Sequence, residues 1–151
     1  MNKPVSRCLS LLLLLLFFNA QPAFCAEQTP EQLVRDFYAW FFKTDTETEV
    51  ALFNDKIYTY VAKETVDYAR RMIGVGDGLA YFTKFGVDIA WEKMPMTLGR
   101  QIAMADDRYV IPVSFKWPSE DREDDIHLVV YVKKENGKSL IYKVSDIYPY
   151  S

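Results

Sequence analysis

The pattern of apolar and polar positions along this chain changes character from segment to segment, and each change marks an element. Leu11 to Phe18 is an unbroken apolar run, preceded by Lys3 and Arg7 and followed by the smaller residues Ala20 to Ala26. That layout is a bacterial-type export signal over residues 1–25. The run is shorter than the roughly 20 apolar residues a bilayer span needs, and no later stretch approaches that length, so no transmembrane segment is expected. Ala23-Phe24-Cys25 fits a small-x-small cleavage site, with the cut after Cys25 or Ala26. A lipid anchor on Cys25 is the competing reading, although Phe24 is bulky where such signals want Gly or Ala. The expected location is the periplasm.

After the signal the period becomes helical. Thr29 can cap a helix, Pro30 suits its first position and Gln32 stands at the capping-box position. Leu33, Val34, Phe37, Tyr38 and Phe41 then recur at helical spacing and predict a helix from about Pro30 to Lys43. Thr44 to Thr48 is a polar break. A second helical region is expected over Glu49 to Met72, with Val50, Phe53, Ile57, Tyr60 and Val61 on one stripe and a break near Lys63, because Thr65 and Val66 are weak helix formers. Gly74 to Gly78 reads as a flexible loop, without the Gly-Lys-Ser/Thr of a phosphate loop. Leu79 to Phe85 is expected as a short third helix ended by Gly86. Residues 87–95 carry no clear period.

From Met96 the pattern alternates. Arg100, Ile102 and Met104 lead to a tight turn at Asp106-Asp107, and Tyr109, Ile111, Val113, Phe115 and Trp117 mark one face of a strand. Pro118 to Asp125 is a polar loop, Ile126 to Lys133 a strand, Asn136-Gly137 a type I′ hairpin turn and Ser139 to Ile147 the returning strand. Helices followed by an antiparallel meander predict an α+β fold, with the N-terminal helices packed on one face of a curved antiparallel sheet and residues 26–151 forming a single domain.

The hairpin turn predicts a register. Leu140 should face Lys133, Tyr142 face Tyr131, Val144 face Val129 and Asp146 face His127, with this side of the sheet turned to the helices. Four aromatics, Tyr109, Phe115, Tyr131 and Tyr142, would then line a cavity between helices and sheet, a candidate small-ligand site. His127, the one histidine, would pair with Asp146 either as a general-base dyad or as a cross-strand ion pair at the core rim. No nucleophile can be placed beside it, and no Gly-x-Ser-x-Gly, His-Glu-x-x-His or Ser-x-x-Lys motif is present. No catalytic residue is assigned and no enzymatic activity is expected.

Composition narrows the partners. Without residues 1–25 the chain has 126 residues, and its formal net charge moves from −3 to −5, because that segment holds two cations and no anion. An acidic protein without a basic patch is not expected to bind nucleic acid. Cys8 and Cys25 are the only cysteines and both fall in the signal, so a disulfide, a thiol nucleophile and a cysteine-ligated metal are excluded from the processed chain. No metal and no cofactor is expected. The densest charge cluster is Ser119 to Asp125, with five acids in seven residues. Glu120, Asp121, Arg122, Glu123 and Asp124 either keep a loop tip solvated or form an acidic plug for a basic cleft on a protein partner. The Asp-x-Asp-x-Asp-Gly spacing of a calcium loop is missing.

Three pieces of the chain carry a resemblance: Thr29-Pro30-Glu31 leading to Phe37-Tyr38-Ala39-Trp40; Asp77-Gly78-Leu79-Ala80-Tyr81-Phe82-Thr83-Lys84; and Val130 to Gly137 running on to Ile147-Tyr148-Pro149. In order and spacing they resemble small exported bacterial domains of unknown function with the cone-shaped, cystatin-like or nuclear-transport-factor-two-like fold. Ser139-Leu140 stands where that family often places an aromatic after the hairpin glycine. The family includes immunity proteins that block type VI secretion amidases acting on peptidoglycan. The resemblance implies a periplasmic protein-binding role with a cell-wall hydrolase effector as partner, and it supplies no binding residues.

Overall fold

The computed structural model describes residues 28–46, 50–73, 79–84, 94–116 and 125–147. The expected export signal over residues 1–25, the expected loop at Gly74 to Gly78, Gly86 and Trp117 lie outside them.

Helix α1 spans Pro30–Thr46. The Thr29 hydroxyl accepts the Gln32 backbone N–H at 3.2 Å, so the cap forms. The reciprocal half of the capping box does not, because the Gln32 side chain donates to Asp36 Oδ1 at 2.7 Å instead. Leu33, Val34, Phe37, Tyr38, Phe41 and Phe42 are all buried, a stripe two residues wide repeating every turn. Its aromatic half holds the layers together. Phe37 and Phe41 pack on Phe82, with ring centroids 5.3 and 5.7 Å apart, while Tyr38 and Phe42 pack on Phe115 of the sheet at 5.2 and 5.5 Å. The buried Tyr38 hydroxyl donates to the Phe82 carbonyl at 2.9 Å.

The second helical region is less continuous than expected. Ala51–Phe53 and Asp55–Thr59 are two 3₁₀ turns, and helix α2 spans Lys63–Met72. Between them the chain extends and Val61 forms a parallel bridge with Ile141. The Ile141 N–H donates to the Tyr60 carbonyl and the Ala62 N–H to the Ile141 carbonyl, both at 2.8 Å. The break near Lys63 is therefore tertiary in origin: two hydrogen bonds to a strand edge replace two of the helix. The expected third helix is a single 3₁₀ turn, Leu79–Tyr81, and the following Lys84 is left-handed at φ 60°.

Five antiparallel strands follow: β1 (Met96–Leu98), β2 (Ile102–Ala103), β3 (Arg108–Phe115), β4 (Ile126–Glu135) and β5 (Lys138–Asp146). The order is β1-β3-β4-β5, with β2 also on the edge of β3. Both expected turns have the type I′ signature, with Asp106 and Asp107 at φ 59° and 51° and Asn136 and Gly137 at 52° and 74°. Pro112 sits mid-strand in β3, where its missing N–H points to the edge at which β1 has ended and β2 has not begun. Gly99 fills that gap, donating its N–H to the Pro112 carbonyl at 2.8 Å. A Cβ on Gly99 would lie 2.9 Å from that of Pro112, so the approach requires glycine.

The register corrects the sequence reading. Leu140 faces Lys133 as expected, but a bulge follows between Tyr131 and Val132, against which β5 runs Ile141, Tyr142, Lys143. Val144 then faces Val130 rather than Val129, and Asp146 faces Leu128 rather than His127. The inward set of β4 is Ile126, Leu128, Val130 and Val132, all buried, and the side expected to meet the helices is the outer one. Ile141 and Val144 explain the bulge. Both are buried, yet they are three residues apart, which a regular strand of period two cannot place on one face. The carbonyl of the extra residue, Tyr142, accepts the Thr65 hydroxyl of α2 at 2.7 Å.

Two stability measurements test these contacts. Thr65→Val keeps the shape and strands the Tyr142 carbonyl, and should cost about 1–3 kcal/mol in denaturant unfolding; an unchanged midpoint would remove the bulge's dependence on α2. Burial holds the Tyr38 hydroxyl protonated far above the ordinary tyrosine range. The unfolded chain releases that proton near pH ~10, so the native state binds more protons above it and stability falls as pH rises. Tyr38→Phe should lower neutral stability by about 1 kcal/mol and flatten the alkaline loss by ~1.4 kcal/mol per pH unit; equal alkaline slopes would contradict this.

Candidate functional site

β3 ends at Phe115 and β4 begins at Ile126. The charged residues Glu120, Asp121, Arg122, Glu123 and Asp124 belong to the chain between them and lie outside the described residues.

The bulge separates the His127–Asp146 pair that the sequence predicts. His127 instead stands directly opposite Ser114 of β3, with Ser114 Oγ and His127 Nδ1 2.8 Å apart on an exposed surface. A hydroxyl thus replaces the carboxylate expected at that ring. Among the described residues no group of three or more His, Cys, Asp or Glu could hold a metal ion.

The four aromatics do not line one cavity. Phe115 is fully buried in the core against Tyr38 and Phe42, and Tyr109 is half-buried at the rim of the same face. Tyr131 lies on the opposite side of the sheet, because its neighbours Val130 and Val132 point inward. Tyr142 joins it there, with ring centroids 6.0 Å apart in an edge-to-face arrangement. Period-two alternation put Tyr131 and Phe115 on opposite faces, and the inverted inside of β4 hid this in the sequence.

The outer face that results is a distinct surface. The Lys143 ammonium lies 5.0 Å from the Tyr131 ring centroid and the Arg108 guanidinium 5.9 Å from that of Tyr142. Sequence reasoning missed both cations. Arg108 follows the Asp-Asp turn and reads as a solvated strand end, and Lys143 reaches Tyr131 only through the bulge. Ile102 faces Val110 across β2–β3 on this side, and Met104 donates its N–H to the Arg108 carbonyl at 2.8 Å. Ile102 and Met104 are 55% and 49% exposed, among the largest apolar exposures of the described residues. Lys133, opposite Arg108, is spoken for. Its ammonium meets Glu64 at 2.7 Å and Glu135 at 3.1 Å. Its hydrogen bond holds the Glu64 carboxyl below the ordinary carboxylate range, and Glu64 in turn raises Lys133. Along the β5 edge a groove of about 520 Å³ runs between Tyr68, Tyr81 and Lys84 on one side and Tyr142 to Asp146 on the other.

No family model matches the sequence, and no curated protein matches it. Solved structures do. The chain is similar to one in the crystal structure of the type VI native effector-immunity complex Tae3-Tai3 from Ralstonia pickettii, with 27% identity and a TM-score of 0.68 over 82% of this chain and 99% of the other. The selenomethionine form of the same complex matches with the same identity and TM-score, and is covered over 100% of its chain. The shared fold is that of the immunity protein, Tai3.

The assignment of faces is open to a direct check. Phe115→Ala should cost about 3–5 kcal/mol, as for a buried aromatic, whereas Tyr131→Ala on the outer face should cost about 1 kcal/mol. Equal losses in urea unfolding would return both rings to one core.

Proposed function

We propose that this protein is a periplasmic immunity protein that binds a type VI effector acting on the cell wall, most concretely a secreted peptidoglycan amidase, and blocks it. One observation carries the reading: the similarity to the effector-immunity complex runs over nearly the whole length of the matched chain at 27% identity. The protein acts by occupying its partner and not by chemistry of its own. Residues 1–25 direct export, and the domain from residue 26 onward does the binding. In this reading the acidic run at Glu120, Asp121, Glu123 and Asp124 enters a basic cleft of the effector, where paired charges speed encounter and fix orientation. The small-ligand alternative loses its support, since its four aromatics are divided between two faces.

The test uses the product of the open reading frame adjacent to the gene. Tagged protein should capture it stoichiometrically and abolish its release of peptidoglycan fragments. Deleting residues 1–25 should leave that inhibition intact in vitro while removing protection of cells that receive the effector in the periplasm. Reversing Glu120, Asp121 and Asp124 to Lys should weaken the complex at least ~10-fold with an unchanged melting temperature. Undiminished hydrolysis in the presence of excess protein would overturn the immunity reading, and unchanged affinity of the triple reversal would remove the loop from the interface.

A further inference from the structure

We propose that the outer sheet face around Arg108, Tyr131, Tyr142 and Lys143 is a docking surface for a carboxylate-bearing patch on the protein partner; this rests on the immunity reading and names the surface that serves it. Both helices pack on the inner face, where the buried side chains of β3, β4 and β5 point. On the other face, Arg108 and Lys143 are exposed and Tyr131 and Tyr142 half-buried, with Glu64 of α2 reaching Lys133 at its margin.

Four properties of this face fit it for recognition. Its composition is that of an interface centre, where Tyr, Arg and Met are enriched and a few aromatic and arginine side chains carry most of the affinity. Its cations are held in place, because Lys143 rests on Tyr131 and Arg108 on Tyr142, so docking freezes less side-chain freedom. Those two cations also have no ion pair among the described residues. Lys133 is neutralised by Glu64 and Glu135, but among the described residues no carboxylate lies within ion-pair distance of Arg108 or Lys143. Finally, the β5 bulge aims Tyr142 and Lys143 to this side together, two residues against the single Tyr131.

The charge of the face selects the occupant. The processed chain is acidic, with a formal charge of −5. A cationic patch bounded by Ile102, Met104, Val110 and Val129 is a local exception on such a molecule. Its complement is an apolar surface carrying Asp or Glu, whose carboxylates meet Arg108 and Lys143 while its apolar atoms cover the tyrosines. The patch is opposite in sign to the Glu120–Asp124 run, so each requires its own counterpart on the effector, and together they fix one orientation.

The experiment compares two charge-matched variants of the purified processed protein for binding to the adjacent-frame effector by calorimetry at two salt concentrations. Arg108→Glu/Lys143→Glu reverses the patch. Arg35→Glu/Arg71→Glu makes the same change of net charge on the exposed sides of α1 and α2. The patch variant should bind about 100-fold more weakly, with reduced salt dependence and an unchanged melting temperature, while the control stays within ~5-fold of wild type. Tyr131→Ala should bind at least ~10-fold more weakly. Equal losses in the two charge variants would reduce the effect to net charge and overturn the proposal. So would wild-type affinity in the patch variant, or conversion of a self-associated form to monomer with effector affinity unchanged, which would make the face a contact between copies. Failure of the wild type itself to bind the effector is the distinct result that overturns the immunity reading, and this proposal with it.

Discussion

The Thr65 hydroxyl meets the Tyr142 carbonyl at 2.7 Å, at the one place where β5 holds a residue that its neighbour does not match. Much else follows from that extra residue. It lets Ile141 and Val144, three apart in sequence, both enter the core. Just before it, the hairpin register turns the Ile141 amide and carbonyl outward to Tyr60 and Ala62, ending the helical path before α2. The extra residue carries Asp146 one position past His127. A bulge leaves a backbone group without a ladder partner, and a buried carbonyl left so costs about 1–3 kcal/mol. Thr65, itself 5% exposed, supplies the missing donor from a helix, so the irregularity in the sheet becomes the joint between α2 and β5.

The second determinant is the width of the α1 stripe. Six buried residues over three turns, four of them aromatic, reach both Phe82 beside the helices and Phe115 on the sheet. α1 thus supplies most of the layer on the inner face, and Val66 and Ala69 of α2 complete it. Arg108, His127 and Lys143 are exposed on the outer face. An antiparallel sheet tolerates this, since alternation gives each strand one buried and one solvated side. Here the solvated side is not uniformly polar: it holds two tyrosines under two cations, with Ile102 and Met104 exposed at the margin.

The sequence was readable wherever structure is local. The start of α1 at Pro30, the Thr29 cap, the alternation from Tyr109 to Phe115 and the turns at Asp106-Asp107 and Asn136-Gly137 depend on residues within a few positions of one another, and all were anticipated; the end of α1 was not, since the helix runs on to Thr46 into the expected polar break. What failed was the inside of β4 and β5. Val129, Tyr131 and Val144 form as apolar a set as Val130, Val132 and Ile141, so hydrophobicity alone does not choose between the faces. The choice is made by Phe115, Val113 and Ile111 across β3, and by Thr65, 77 residues from the carbonyl it satisfies. A bulge enforced by so distant a contact has no signature in the strand itself. The aromatic cavity and the His127–Asp146 pair fell with the register, and Arg108 and Lys143 escaped notice because their aromatic partners were assigned to the core.

Separating the two faces has a consequence for recognition. Residues that hold the fold, from Phe37 and Tyr38 to Ile111 and Val130, are fully buried, and those of the outer patch contribute little to that core. Exposed positions such as Arg108 and Lys143 can therefore change charge at small cost in stability, usually within about 0.5 kcal/mol. On the proposed reading an immunity protein must follow the surface of its effector as that surface varies, and specificity is a difference of affinities that misplaced charge readily creates. A fold whose helices close the core on one side, and whose opposite side presents pre-positioned cations on a rigid sheet, can revise its partner without rebuilding itself. Tyr131 and Tyr142 then act as the fixed elements of the patch, tied to the bulge and hence to Thr65, while the cations above them set which carboxylates are accepted.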